Sequence, residues 1–115
     1  MENQRKAWIH CRVSKEPLRS LLDFQEKKAK QYCESKGIEV FAVSKEVGGG
    51  RSATEYYLST ISIEVRRGKI NCIVVYDASR LLIFDDIYIE FKIFCDMYGV
   101  EIITIENEKV TLPIK

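Results

Sequence analysis

One segment constrains the fold more than any other: the apolar run at residues 70–76 (INCIVVY). A strand with no polar face must be covered on both sides, which is the situation of a central strand in a parallel sheet sandwiched by helices. The neighbouring segments fit that frame. Residues 6–13 (KAWIHCRV), 38–43 (IEVFAV) and 100–105 read as further strands. Between them, residues 18–36 carry Leu18, Leu21, Leu22, Gln25, Ala29, Tyr32 and Cys33 at helical spacing, and residues 54–67 do the same with Tyr57, Leu58, Ile61 and Val65. Residues 83–98 form a third helix with a broad apolar stripe. Gly37, Gly68 and Gly99 stand just past the three helices, where a left-handed cap is favoured. Thr54 is the expected N-cap of the second helix. Strands alternating with helices predict an α/β fold: three layers, α/β/α, with right-handed crossovers and a mostly parallel sheet of four to five strands. The fifth strand would be an edge strand at residues 109–114.

The third helix is apolar around most of its circumference, because Ile83, Ile89, Ile93 and Met97 lie off its main stripe. Such a helix is either deeply buried or part of a partner interface.

The chain has 115 residues, room for a single domain and no second folded unit. With 18 Lys and Arg against 17 Asp and Glu, composition gives no independent reason to expect nucleic-acid binding, so any such claim must come from motifs. No apolar run approaches the roughly 18 residues of a membrane helix, and the first residues are no signal peptide, so a cytoplasmic location without membrane association is expected. Cys11, Cys33, Cys72 and Cys95 lack C-x-x-C spacing and fall in apolar segments, which suits reduced core thiols better than zinc ligands or disulfides. His10, the only histidine, cannot form a metal cluster alone and reads as a structural residue beside a strand.

Reactive groups in open parallel sheets collect at the carboxyl ends of the strands. The first strand ends in Arg12-Val13-Ser14, the second runs into a Gly48-Gly49-Gly50 loop followed by Arg51, and the third ends in Asp77-Ala78-Ser79-Arg80. A serine flanked by arginines points to phosphoryl rather than acyl transfer, since guanidinium forks neutralise the non-bridging oxygens of a phosphodiester under attack. No His-Asp pair is available for a protease-like triad, and without GKS or GKT the glycine run is no P-loop. Its backbone N–H groups also leave open a small-anion or nucleotide nest on a flavodoxin-like scaffold.

In order and spacing, His10-Cys11-Arg12-Val13-Ser14, then Ser20-Leu21-Leu22-Asp23-Phe24-Gln25, then Lys36-Gly37-Ile38-Glu39-Val40 resemble the opening of a serine recombinase of the resolvase/invertase family. Residues 45–52 (KEVGGGRS) are similar to that family's glycine-rich loop, and residues 74–81 (VVYDASRL) to the strand leading into its SRL or DRL motif. The resemblance covers roughly residues 6 to 106. It implies a flavodoxin-like arrangement and a serine that attacks DNA, forming a 5′-phosphoserine link and freeing a 3′-hydroxyl before strands are rejoined within a tetramer. No metal or other cofactor is implied. Carried over, Ser14 is the nucleophile, Arg12 and Arg80 contact phosphate, and Gln25 and Ser79 support the site, the alternative for Gln25 being a solvated helix residue.

The match is incomplete. The family usually has an arginine opening the second helix, where this chain has Thr54-Glu55-Tyr56-Tyr57, and another three residues after the one matched by Arg80, where it has Ile83. Arg51 is expected either to substitute from the loop or to be solvated. Family members also continue into a long dimer-forming helix and a DNA-binding domain, which residues 1–115 are not expected to contain. The resemblance therefore implies a DNA substrate held weakly by this segment alone, a dimer that becomes a tetramer when active, and, as the alternative to an enzyme, a catalytically degenerate interaction or regulatory module.

Overall fold

The structure is a computed structural model and describes residues 4–48, 50–77 and 84–106. The element order is β1 (Lys6–Val13), a 3₁₀ turn (Glu16–Leu18), α1 (Ser20–Lys36), β2 (Glu39–Val47), α2 (Arg51–Arg66), β3 (Cys72–Val75), α3 (Asp85–Met97) and β4 (Glu101–Thr104). The four strands form one parallel sheet in the order β2-β1-β3-β4. The expected edge strand at residues 109–114 lies outside the described residues.

Side-chain alternation along β1 divides the core. Ala7, Ile9, Cys11 and Val13 point to one face and pack with Leu22, Ala29 and Cys33 of α1. Trp8 points to the other and packs with Leu58, Ile61 and Val65 of α2 and Phe91 and Cys95 of α3. All four residues of β3 are buried, as the apolar run requires. The result is the three-layer α/β/α arrangement. The cysteines are buried and in no disulfide, and burial pushes the Cys72 and Cys95 thiols up to about 11 and about 12, so neither supplies a thiolate near neutral pH.

Several boundaries differ from the sequence reading, β3 among them, which spans Cys72–Val75 within the apolar run of residues 70–76. β2 does not end at residue 43 but continues through Ser44, Lys45, Glu46 and Val47, a stretch whose polarity made it read as loop. α2 starts at Arg51, capped by Gly50, so Thr54 is not an N-cap but a buried residue inside the helix. α1 begins at Ser20, the preceding residues forming the 3₁₀ turn around Pro17. α3 is not deeply buried: Ile89, Ile93 and Met97 stand 55%, 55% and 76% exposed at i, i+4 and i+8, a continuous outward stripe. Among the described residues, no helix is long and apolar enough to cross a membrane.

The order 2-1-3-4 places a topological switch point between β1 and β3, because the chain leaves β1 toward β2 on one side and returns to β3 on the other. The crevice beyond the carboxyl ends of those two strands is where open α/β sheets bind ligands.

Candidate active site at the carboxyl edge of the sheet

Ser14 immediately follows β1 at that switch point and is exposed. Its place is fixed by Gly48, at the end of β2. The Gly48 N–H donates to the Val13 carbonyl at 2.8 Å, and its own carbonyl accepts from Nη2 of Arg12 at 3.1 Å. A Cβ on Gly48 would lie 3.2 Å from the Ser14 carbonyl oxygen, and the residue sits at φ +59°, in the left-handed region. Close approach and backbone conformation both demand glycine here. Gly48 thus gathers the Ser14 backbone and the Arg12 guanidinium around one residue.

Arg12 is buried at 8% exposure, which requires compensation of its charge. Its Nε lies 3.4 Å from Oε2 of Glu46, itself 2% exposed. The two are register partners across β1 and β2, as are His10 and Ser44. A register shift between Ala7 and Trp8 creates these pairings: Ala7 faces Val40 but Trp8 faces Ala42. Without that irregularity Arg12 would meet Lys45, a like charge.

The pair belongs to a longer buried chain. Trp8 Nε1 donates to Ser44 Oγ at 2.8 Å, Ser44 Oγ lies 2.7 Å from His10 Nδ1, and His10 Nε2 lies 3.3 Å from Glu46 Oε1. Thr54 donates from α2 to Glu46 Oε2 at 3.4 Å. The structural role expected of His10 is thus filled within this network. Sequence reading missed Glu46, Ser44 and Thr54. The available signal was alternation: His10 and Arg12 in one strand and Ser44 and Glu46 in the next are polar at every second position, facing one side.

Gln25 is 1% exposed, so the solvated alternative is excluded. Its Oε1 accepts from the Arg12 N–H at 3.0 Å and its Nε2 donates to the Arg12 carbonyl at 2.9 Å. β1 pairs with β3 only from Ala7 to Ile9, so at Arg12 the side-chain amide of Gln25 stands in for a strand that is no longer there. Gln25→Leu keeps the volume but orphans two buried backbone groups. It is expected to cost about 2–4 kcal/mol, read as a lower urea midpoint with unchanged slope.

Arg51 is exposed, and its guanidinium is engaged by acidic side chains. It binds Asp86 of α3 through both guanidinium nitrogens, lies 3.7 Å from Glu55 and covers the Phe84 ring. Asp86 is held below the usual carboxylate range by this hydrogen bonding, and Arg51 is raised by the same contact. The cation opening α2 is therefore committed to acids on the α2–α3 face. Ser79, Arg80 and Ile83 lie outside the described residues.

Buried Arg12 and exposed Ser14 thus lie near each other at the switch point of a 2-1-3-4 sheet. The sequence matches the family described as "Resolvase, N terminal domain" over residues 7–113, and the chain belongs to that family. Solved structures with the same fold include the C-terminal catalytic domain of ISC1926 TnpA, an IS607-like serine recombinase, at TM-score 0.79 and 22% identity, covering 89% of this chain and 71% of that one. A resolvase family site-specific recombinase from Streptococcus pneumoniae aligns at TM-score 0.75 and 18% identity, covering 90% of this chain and 73% of that one. The N-terminal catalytic domain of TP901-1 integrase aligns at 0.74 and 18%, covering 88% and 77%. At these identities the structures speak to fold alone. No curated protein sequence matches the chain.

Proposed function

We propose that this chain is the catalytic domain of a site-specific DNA recombinase, cleaving and rejoining strands through a 5′-phosphoserine intermediate. The observation that carries the reading is the gathering of Ser14 and Arg12 around Gly48. Ser14 attacks the phosphorus and gives up its hydroxyl proton to solvent, the phosphorus–serine bond forms, the bond to the 3′-oxygen breaks, and that oxygen takes a proton from solvent to leave as the 3′-hydroxyl. Arg12 offers charge-assisted donors to the non-bridging oxygens, and Arg80 joins it from the segment after β3. Ser79 is a supporting residue of the site, and Gln25 holds the Arg12 backbone so that its guanidinium and Ser14 keep their relation. DNA is the substrate and further copies of the chain are the partners. Residues 1–115 bind DNA weakly by themselves, because a net charge of +1 releases few counterions. No metal or cofactor takes part, and the protein acts where DNA is, in the cytoplasm.

Crystals grown at high sulfate test the site. The expected result is a sulfate within hydrogen-bonding distance of Ser14 Oγ and Arg12. An empty site, with Arg12 unmoved on Glu46, favours a second reading, in which a degenerate domain acts as an interaction module. Its supporting observation is the exposed stripe of Ile89, Ile93 and Met97 on α3, together with the commitment of Arg51 to Asp86.

A further inference from the structure

β1 pairs with β3 only as far as Ile9 and Val74, and beyond that point the side chain of Gln25 takes the place of a partner strand at Arg12. The residues on either side of this substitution are aromatic. Phe24 precedes Gln25 on α1, and Tyr76 follows the last residue of β3. Their rings lie 5.4 Å apart between centroids with planes inclined by 63°, an edge-to-face pair that joins α1 to the end of β3. Counted on from Ile9 and Val74, Tyr76 is level with Cys11, one residue short of Arg12 and three short of Ser14. The pair therefore stands at the same carboxyl edge as the Ser14–Arg12 site.

These rings are not sealed into the core. Phe24 is 43% exposed and Tyr76 is half-buried, while the core beneath is closed by Leu22, Gln25, Ala29 and Cys33 of the same helix. Lys28, one turn further along α1, holds its ammonium 5.7 Å from the centre of the Phe24 ring. Lys30 and Lys45 are bound to Glu26, so Lys28 differs from them in resting on an aromatic face. Exposed ring faces with a cation at their side, continuous with a site for a phosphate, are the combination that holds a nucleotide: charge for its backbone and a π-surface for its base.

We propose that Phe24 and Tyr76 form a nucleobase platform, on which the nucleotide whose 5′-phosphate lies at Ser14 and Arg12 stacks its base. The inference rests on the phosphate-site reading above and adds a subsite to it. Strand cleavage deprives that base of a stacking neighbour once the ends separate, and the platform supplies a replacement. Lys28 leaves the ring face for a neighbouring phosphate, because an exposed cation–π contact is weaker than a stacked base. Every base has a π-face, so the platform adds affinity and position without choosing a sequence. Phe24 and Tyr76 make no bond to the reacting atoms and are positioning residues.

The probe is a 5′-phosphorylated deoxyadenosine dinucleotide, compared with an abasic dinucleotide that carries the same phosphates, so that only the bases differ. At low salt the wild-type chain is expected to bind the first about five- to hundredfold more tightly than the second, the range that stacking contributes per base. In NMR spectra the Phe24 and Tyr76 ring protons are expected to move upfield with the dinucleotide and to stay in place with its abasic counterpart. Phe24→Leu and Tyr76→Leu keep apolar volume at positions that are not fully buried. Each should bring the two affinities close together while leaving abasic binding unchanged. The NMR arm uses only wild-type protein and stands if a variant fails to fold. Equal affinity for both ligands, with the two rings unmoved, overturns the platform and leaves the phosphate site intact. A base-dependent gain that survives both leucine variants also overturns it, because the base is then held elsewhere. Binding of neither ligand overturns the phosphate-site reading itself, and the platform with it.

Discussion

Replacement of Glu46 by alanine is expected to lower the stability of the chain by about 3–5 kcal/mol, a large share of the roughly 5–15 kcal/mol that holds a domain together. The size of the effect comes from what remains behind. Arg12 keeps its charge under 8% exposure without the Glu46 carboxylate beside it, His10 Nε2 loses its partner, and Thr54 loses the carboxylate it donates to. Removing one member of a buried pair costs far more than the pair contributes net, because the survivor stays desolvated. Glu46→Gln separates the charge from the volume: it retains an acceptor for His10 and Thr54 and is expected to fall between wild type and alanine. Urea unfolding measures both, with the alanine midpoint lowered by on the order of 2 M. A loss below about 1 kcal/mol for the alanine variant would show that the network does not hold Arg12.

The sequence made the sheet and helices legible for a simple reason. β3 is apolar on both faces and the helices keep a 3.6-residue period, so burial and pattern agree there. Where they disagree, the reading failed. The end of β2 buries Glu46 and half-buries Ser44, residue types that signal loop, and their partners become visible only once β1 lies alongside. The register shift at Ala7 and Trp8, which decides whether Arg12 meets Glu46 or Lys45, has no mark in either strand alone. Gln25 illustrates the same limit from the helix side. It occupies a core-facing position at helical spacing, yet its use depends on β3 ending its pairing with β1 at Ile9. Arg51 could be placed near the carboxyl edge from sequence, but its capture by Asp86 joins residues 35 positions apart.

Ser14 differs from its surroundings in that its own side chain takes little part in the packing. It is exposed just beyond β1, and what fixes it is its backbone, through Val13 and Gly48. Ser14→Ala is therefore expected to leave stability within about 0.5 kcal/mol of wild type, as for surface substitutions generally. Its effect on chemistry is expected to be complete, since removing a nucleophile lowers turnover by several powers of ten, on the order of 10⁴-fold or more. Together these make Ser14 the position where fold and chemistry separate most cleanly. The chain should be joined to a DNA-binding domain of known site specificity and incubated with end-labelled DNA carrying that site, then denatured and resolved on a gel. The account predicts a covalent protein–DNA complex from wild type, with DNA attached through its 5′-phosphate to Ser14 and a free 3′-hydroxyl on the other fragment, and none from Ser14→Ala of equal stability. A complex that persists in Ser14→Ala, or cleavage with no protein attached, would contradict it.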